Sequence, residues 1–291
     1  MSILEHPTTI TGTPVRMLEL ELTAKCPLAC THCLTDSSPR AGHGTMTVQD
    51  WVGAIDQATA LGIPKVQFIG GEPLTHPAFE QLLTHALDAG HRVEVFSNLH
   101  TVSRQLWGLF EHPAVSLATS YYSLDPVAHD AVTTVAGSHA RNRANLIEAL
   151  RRGIAVRVGI IEVVDGQRID DTRAELVALG VPADRIGVDR MRVVGRPARG
   201  QAPQLGELCG RCGDGKAAIL PDGTVAPCVL GRFLATGNVR AASLASILGG
   251  PTWREAMAVV PRVAGADPCK PDSDGGDCSP AETPACAPAY N

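Results

Sequence analysis

Cys26, Cys30 and Cys33 fall within eight residues, in the stretch ELTAKCPLACTHCLTD. Thiolates suit zinc and the irons of iron–sulfur clusters. A structural zinc site or a closed cluster takes four protein ligands. Three ligands leave one metal position without a protein partner, and an open position is where a metal does chemistry. Zinc or plain buried thiols are the competing readings. A second set, Cys209, Cys212 and Cys228, lies in CGRCGDGKAAILPDGTVAPC, and the tail adds Cys269, Cys278 and Cys286. Between them stands GGEP, formed by Gly70, Gly71, Glu72 and Pro73. Glycines let backbone approach a ligand closely, and Glu72 offers an acceptor to an ammonium group. A strand-end turn would look the same.

These residues need elements to position them. Apolar runs predict strands at 16–23, 65–70, 92–97, 114–122, 155–164 and 185–194. Helices are predicted at 47–62, 77–89, 101–111, 139–152 and 169–179, the first opened by Thr47 as N-cap with Asp50 three residues on. Strands alternating with helices give right-handed parallel crossovers. Six strands fall short of the eight of a closed barrel. The expected fold is therefore α/β, a partial, open (β/α)6 barrel. Ligands bind such sheets at the carboxyl ends of the strands, and Cys26, Cys30 and Cys33 follow the first strand.

A Gly/Pro/Arg-rich linker at 195–203 divides the chain into expected domains at 16–198 and 205–291. The second domain is expected to hold a β-hairpin turning at Pro221-Asp222-Gly223 and a helix over 243–258. The tail beyond has little apolar material to pack, unless metal ties it down.

The chain has 291 residues, 44% of them hydrophobic, enough to bury a sizeable core. Its net charge is −5, which argues against nonspecific nucleic-acid binding. No basic region followed by an apolar stretch opens the sequence, and no apolar run is long enough for a membrane span. A cytoplasmic protein is expected. Nine cysteines in such a chain point to metal or redox use rather than disulfides. No HExxH, Walker A or dinucleotide-binding glycine fingerprint is present.

The Cys26-x3-Cys30-x2-Cys33 spacing after a first strand resembles the signature of the radical S-adenosylmethionine (radical SAM) superfamily. His32 stands where that family often carries a ring before the last cysteine. The segment from Cys209 onward is similar to the SPASM/Twitch extensions that hold auxiliary clusters. The resemblance implies that Cys26, Cys30 and Cys33 hold three irons of a [4Fe–4S] cluster, with S-adenosylmethionine (SAM) on the fourth. It implies reductive cleavage of SAM to a 5′-deoxyadenosyl radical, which takes a hydrogen atom from an unactivated carbon. The electron donor would be a flavodoxin or ferredoxin. By the same resemblance GGEP meets the methionine amino group, and Ser97 and Asn98 the ribose. Ser120, Tyr121, Tyr122 and Ser123 supply a polar contact to the ribose or carboxylate, and Ile161 flanks adenine. Some relatives place an arginine four residues after a histidine here. This chain reads His129 to Thr133 without it, leaving Arg141 or Arg143 as substitutes. His43 faces either substrate or solvent.

Six cysteines lie beyond residue 200. One cluster with four cysteine ligands leaves two over, and two such clusters would need eight. Cys209, Cys212 and Cys228, with one of Cys269, Cys278 and Cys286, are thus expected to hold one auxiliary [4Fe–4S] cluster. A zinc ribbon or an open three-plus-three arrangement competes. A spare tail thiol could return a hydrogen atom to a substrate radical, making an epimerase; oxidation would send the electron to the auxiliary cluster. Relatives of this type often crosslink, oxidise or epimerise ribosomally made peptides, and that is the preferred reading. The lack of a recognisable leader-binding domain before Arg16 counts against it. A small-molecule epimerase or dehydrogenase acting on an aminosugar or aminocyclitol is the alternative. The third reading is a non-catalytic iron–sulfur or zinc scaffold.

Overall fold

A computed structural model describes residues 14–262. Its first strand, β1 (Met17–Glu21), shows how the sheet is built. Side chains alternate across a strand. Leu18 and Leu20 join Trp51, Ile55 and Phe68 in the main hydrophobic core, while Glu19 and Glu21 on the opposite face are also fully buried. The sheet is therefore covered on both sides.

Five more parallel strands follow: β2 (Lys65–Ile69), β3 (Arg92–Phe96), β4 (Val115–Ser120), β5 (Ala155–Glu162) and β6 (Ile186–Arg190). The intervening helices are α1 (Val48–Ala60), α2 (Phe79–Asp88), α3 (Arg104–Phe110), α4 (Pro126–Thr133), α5 (Ser138–Arg151) and α6 (Ile169–Leu179). The Thr47 cap forms as expected: Asp50 N donates to Thr47 Oγ1 at 3.1 Å, and Thr47 N donates to the Asp50 carboxylate at 2.8 Å. Such a cap contributes about 1 kcal/mol.

Beyond the linker come β7 (Lys216–Ile219), β8 (Thr224–Ala226) and β9 (Gly237–Asn238), then α7 (Leu244–Leu248) and α8 (Pro251–Val259). The sheet order is β6-β5-β4-β3-β2-β1-β7-β8-β9. The six-stranded partial barrel is thus present, open between β6 and the far edge. The hairpin turns where expected, with β7 and β8 antiparallel. It does not stand apart from the barrel, because β7 pairs with β1 in parallel.

Two local differences have local causes. The extra helix α4 starts at Asp125, whose carboxylate accepts from Val127 N at 2.9 Å, with Pro126 as its first residue. Proline suits that position because its missing N–H is not needed there. The predicted helix over 243–258 is broken at Gly249, Gly250 and Pro251 into α7 and α8. No helix among the described residues is long and apolar enough to cross a membrane.

The inner face carries a buried ionic cluster. Glu94 accepts two hydrogen bonds from Arg157, at 2.8 and 2.9 Å, and one from Gln67; Lys65 stands 3.5 Å away. The guanidinium and ammonium beside it hold the Glu94 carboxyl below the usual range against the opposing effect of burial. Removing one partner strands a buried charge. Arg157→Leu is expected to cost about 3–5 kcal/mol in urea unfolding at neutral pH. A loss below about 1 kcal/mol would show that the charge is relieved by other means.

Candidate active site

The loop after β1 carries the first three cysteines. Cys26 is buried, Cys30 and Cys33 are half-buried, and all three line one cavity. Short backbone bonds shape the loop: Cys33 N to Cys30 O and Asp36 N to Cys33 O, each 3.2 Å, and Cys26 N to Ser38 O, 3.1 Å. The Cys33 sulfur accepts from Ser37 N at 3.3 Å. Burial, with Cys33 alongside, pushes the Cys30 thiol up to about 12, and burial raises Cys26 as well. A bare thiolate is thus disfavoured here, whereas coordination to a metal deprotonates a thiol outright.

The opposite walls come from the carboxyl ends of the strands. Gly70 and Gly71 follow β2, Asn98 follows β3, Ser120 ends β4, Tyr122 lies just past it, and Ile161 is near the end of β5. Asn98 Nδ2 is 3.5 Å from the Cys26 sulfur. Tyr122 packs edge-on against His32, with ring centroids 4.8 Å apart.

The glycines, which line the cavity, also pack closely against backbone. A Cβ on Gly70 (φ +145°) would lie 2.5 Å from Thr23 O, and one on Gly71 would lie 2.4 Å from Lys25 O. What they admit is the backbone of the cysteine loop. Gly71 N donates to Thr23 O at 2.7 Å and Glu72 N to Lys25 O at 2.9 Å.

Glu72 does not line the cavity. Its carboxylate accepts from Ser97 Oγ at 2.9 Å, Asn98 N at 2.8 Å and Leu74 N at 3.2 Å. Burial pushes it up to about 7 despite these donors. It fastens the end of β3 to the turn after β2, a turn in which Pro73 is the first residue. Ser97 belongs to this bracket.

Other sequence candidates also stand outside the cavity. Ser123 Oγ accepts from Asp125 N at 3.0 Å. Arg141 is exposed, and Arg143 pairs with Glu175 at 2.9 Å. The Tyr121 hydroxyl meets His139 at 2.7 Å in the core. His129 takes a 3.4 Å hydrogen bond from Tyr122 N. His43 is half-buried, 2.9 Å from Thr23 Oγ1. Two arginines that sequence reasoning missed do line the cavity, Arg190 and Arg192 at the end of β6. Cations near the carboxyl end of the sixth predicted strand were the available signal.

The second cysteine set flanks the hairpin, with Cys209 and Cys212 before β7 and Cys228 after β8. Cys209, Cys212 and Cys228 are buried and share a small apolar cluster with Val194, Leu208, Leu230 and Val260. The Cys228 and Cys212 sulfurs are 3.1 Å apart. Gly231 presents no side chain to them; a Cβ there would lie 3.3 Å from the Cys212 sulfur. Val229 N donates to Glu19 of β1 at 2.8 Å, and Arg192 Nη1 donates to Glu207 O at 3.1 Å. The set is thus tied to both β1 and β6. Cys269, Cys278 and Cys286 lie outside the described residues.

The sequence model of the radical SAM superfamily matches residues 20–178, more than half the chain. The chain belongs to the radical SAM superfamily. A second match, an iron–sulfur cluster-binding domain called SPASM, covers residues 209–278. The chain is 32% identical over 210 residues to a PqqA peptide cyclase of Ruegeria pomeroyi, covering 69% of this chain and 54% of that one. It is 31% identical over 138 residues to an AdoMet-dependent heme synthase of Methanosarcina barkeri, covering 47% and 39%. The chain spans about half the length of the first of these and less of the second. Streptococcus suis SuiB, solved bound to its precursor peptide SuiA, superposes with a TM-score of 0.68 at 16% identity, over 84% of this chain and 67% of SuiB. That likeness concerns the fold.

The cofactors of a radical SAM protein with a SPASM domain are SAM, a [4Fe–4S] cluster and auxiliary iron–sulfur. The residues present fit them. Three thiols share a cavity with strand ends that carry amide, hydroxyl and apolar groups, and a second buried thiol set meets a glycine. Among the described residues no three His, Cys, Asp or Glu side chains converge on one metal ion. Thiolates that bind separate irons of a cluster need not converge as the ligands of a single zinc do.

Proposed function

We propose that this radical SAM protein modifies a ribosomally made peptide. Cys26, Cys30 and Cys33 would hold the catalytic cluster, with the barrel over 16–198 and the auxiliary domain over 205–291. The observation that carries the reading is one cavity lined by all three thiols and by the ends of β2, β4, β5 and β6. When bound, the cluster supplies the electron that cleaves SAM to the 5′-deoxyadenosyl radical.

The chain's own residues position and enclose. Asn98 stands between the Cys26 sulfur and the Glu72 bracket. Ser120 and Ile161 offer a polar and an apolar wall to a nucleoside. Cys209, Cys212 and Cys228, with a fourth ligand from Cys269, Cys278 or Cys286, would hold the auxiliary cluster as an electron acceptor for oxidation or crosslinking. A spare tail thiol would serve as hydrogen-atom donor in an epimerisation. The peptide cyclase relative supports a peptide substrate. The heme synthase relative supports a small molecule as the second reading. A flavodoxin or ferredoxin is the proposed reductant.

The test uses the reconstituted holoenzyme with SAM, dithionite and any short peptide encoded beside its gene. The expected result is peptide-dependent 5′-deoxyadenosine and a peptide that has lost a pair of hydrogens, or gained deuterium from D2O. SAM cleavage stimulated by an aminosugar and not by the peptide would move the assignment to small molecules.

A further inference from the structure

We propose that Arg196 is a positioning residue for the catalytic cluster, holding the loop that presents Cys30 and Cys33. The inference rests on the cluster assignment above. Arg196 lies in the segment that leaves β6, far along the chain from the cysteines, yet makes four contacts with their loop. Its backbone N donates to Cys33 O at 2.9 Å. Its guanidinium donates from Nη1 to Cys30 O and from Nη2 to Ser37 O, and its Nε stands 3.0 Å from the Asp36 carboxylate. One planar group thus closes both ends of the Cys30–Ser37 turn. Lysine is a point charge with no such fork.

The backbone around the clamp is shaped for it. Gly195 has φ +66°, and a Cβ there would sit 2.3 Å from Leu34 O and 2.5 Å from Cys33 O. Asp36, although not glycine, is held at φ +52°. Local strain of this kind persists only where surrounding contacts over-determine it. The same segment also reaches the second cysteine set. Val193 N donates to Glu207 Oε2 at 3.0 Å, and Val194 packs with Cys209, Cys212 and Cys228. Residues 192–196 therefore strap the catalytic loop to the auxiliary site, with Arg196 as the buckle.

The test compares wild-type holoenzyme, Arg196→Gln, Arg196→Lys and the Cys26/Cys30/Cys33→Ala variant by iron content, hydrogen exchange and the EPR response of the reduced cluster to SAM. In Arg196→Gln the Asp36 and Ser37 amides, which donate to Cys33 O and Cys33 Sγ, are expected to exchange at least about tenfold faster, because the turn that holds them loses the charge-assisted bonds to its carbonyls and carboxylate. Iron should fall from about eight toward about four per chain, with the auxiliary share retained. Any cluster left in the catalytic site should lose the SAM-dependent change in its EPR signal. Lysine should rescue neither exchange nor the EPR response. If Arg196→Gln does not fold, Asp36→Ala takes its place, with a smaller acceleration expected. Unchanged exchange in the folded variant overturns the proposal while the triple cysteine variant still loses its iron. A triple variant that keeps all its iron overturns the cluster assignment itself.

Discussion

With Cys26, Cys30 and Cys33 all changed to alanine, the reconstituted protein is expected to hold about four irons per chain against about eight in the wild type. It should release no 5′-deoxyadenosine from SAM under dithionite. The three thiols share one cavity, and no other thiol lines it. Cys209, Cys212 and Cys228 sit in a separate buried cluster, so their iron should survive. The fold should survive too, because the main core, drawn from the sheet and its helices on both sides of the linker, contains none of these cysteines. About four irons in the wild type, with zinc present and no 5′-deoxyadenosine from either protein, would sink the auxiliary-cluster reading and the catalytic one with it.

Gly71→Ala is expected to abolish loading of the catalytic cluster with little change elsewhere. The new Cβ would stand 2.4 Å from Lys25 O, 2.8 Å from Lys25 C and 2.9 Å from Ala24 O. All three obstacles are backbone atoms just before Cys26, so no side chain can swing away. Relief requires moving the strand-to-loop junction that places the first ligand, and overpacking of this kind typically costs about 1–3 kcal/mol. Iron should fall by about four per chain. Gly53→Ala is the matched control. It lies within α1 with nothing within 4 Å of the added Cβ. There alanine should gain up to about 1 kcal/mol by helix propensity. A Gly71→Ala protein with full iron and wild-type unfolding would show that the junction yields freely.

Much of this protein was legible in one dimension. Apolar runs at strand spacing alternating with helix-length segments specify parallel crossovers whatever the packing details, because period and connection length constrain topology locally. The Thr47 cap is legible for the same reason: it depends on residues three apart. So is the cysteine spacing, which placed Cys26, Cys30 and Cys33 past β1 and so at the ligand-binding ends of the strands. Asn98, Ser120 and Ile161 were implied by the family resemblance at the ends of later strands, and all three line the cavity.

What tertiary structure decided is every contact between residues distant in the chain. Nothing local distinguishes Glu72 facing a ligand from Glu72 facing Ser97 and Asn98; only the juxtaposition of β2 and β3 settles it. Ser123 lies just past Ser120 and Tyr122, which do line the cavity, yet its hydroxyl accepts from Asp125 N, and Arg141 on α5 is exposed. Arg190 and Arg192 lie in the predicted sixth strand and Arg196 in the Gly/Pro/Arg-rich linker, and their meaning depends on the loop that folding brings beside them. The hairpin's parallel docking on β1 has the same origin, since strand pairing across about 200 residues leaves no short-range periodicity to read. Residue types and spacing determined the chemistry available to this chain. Folding determined which of its glycines, carboxylates and arginines hold that chemistry in place, because such roles exist only between segments that the sequence keeps apart.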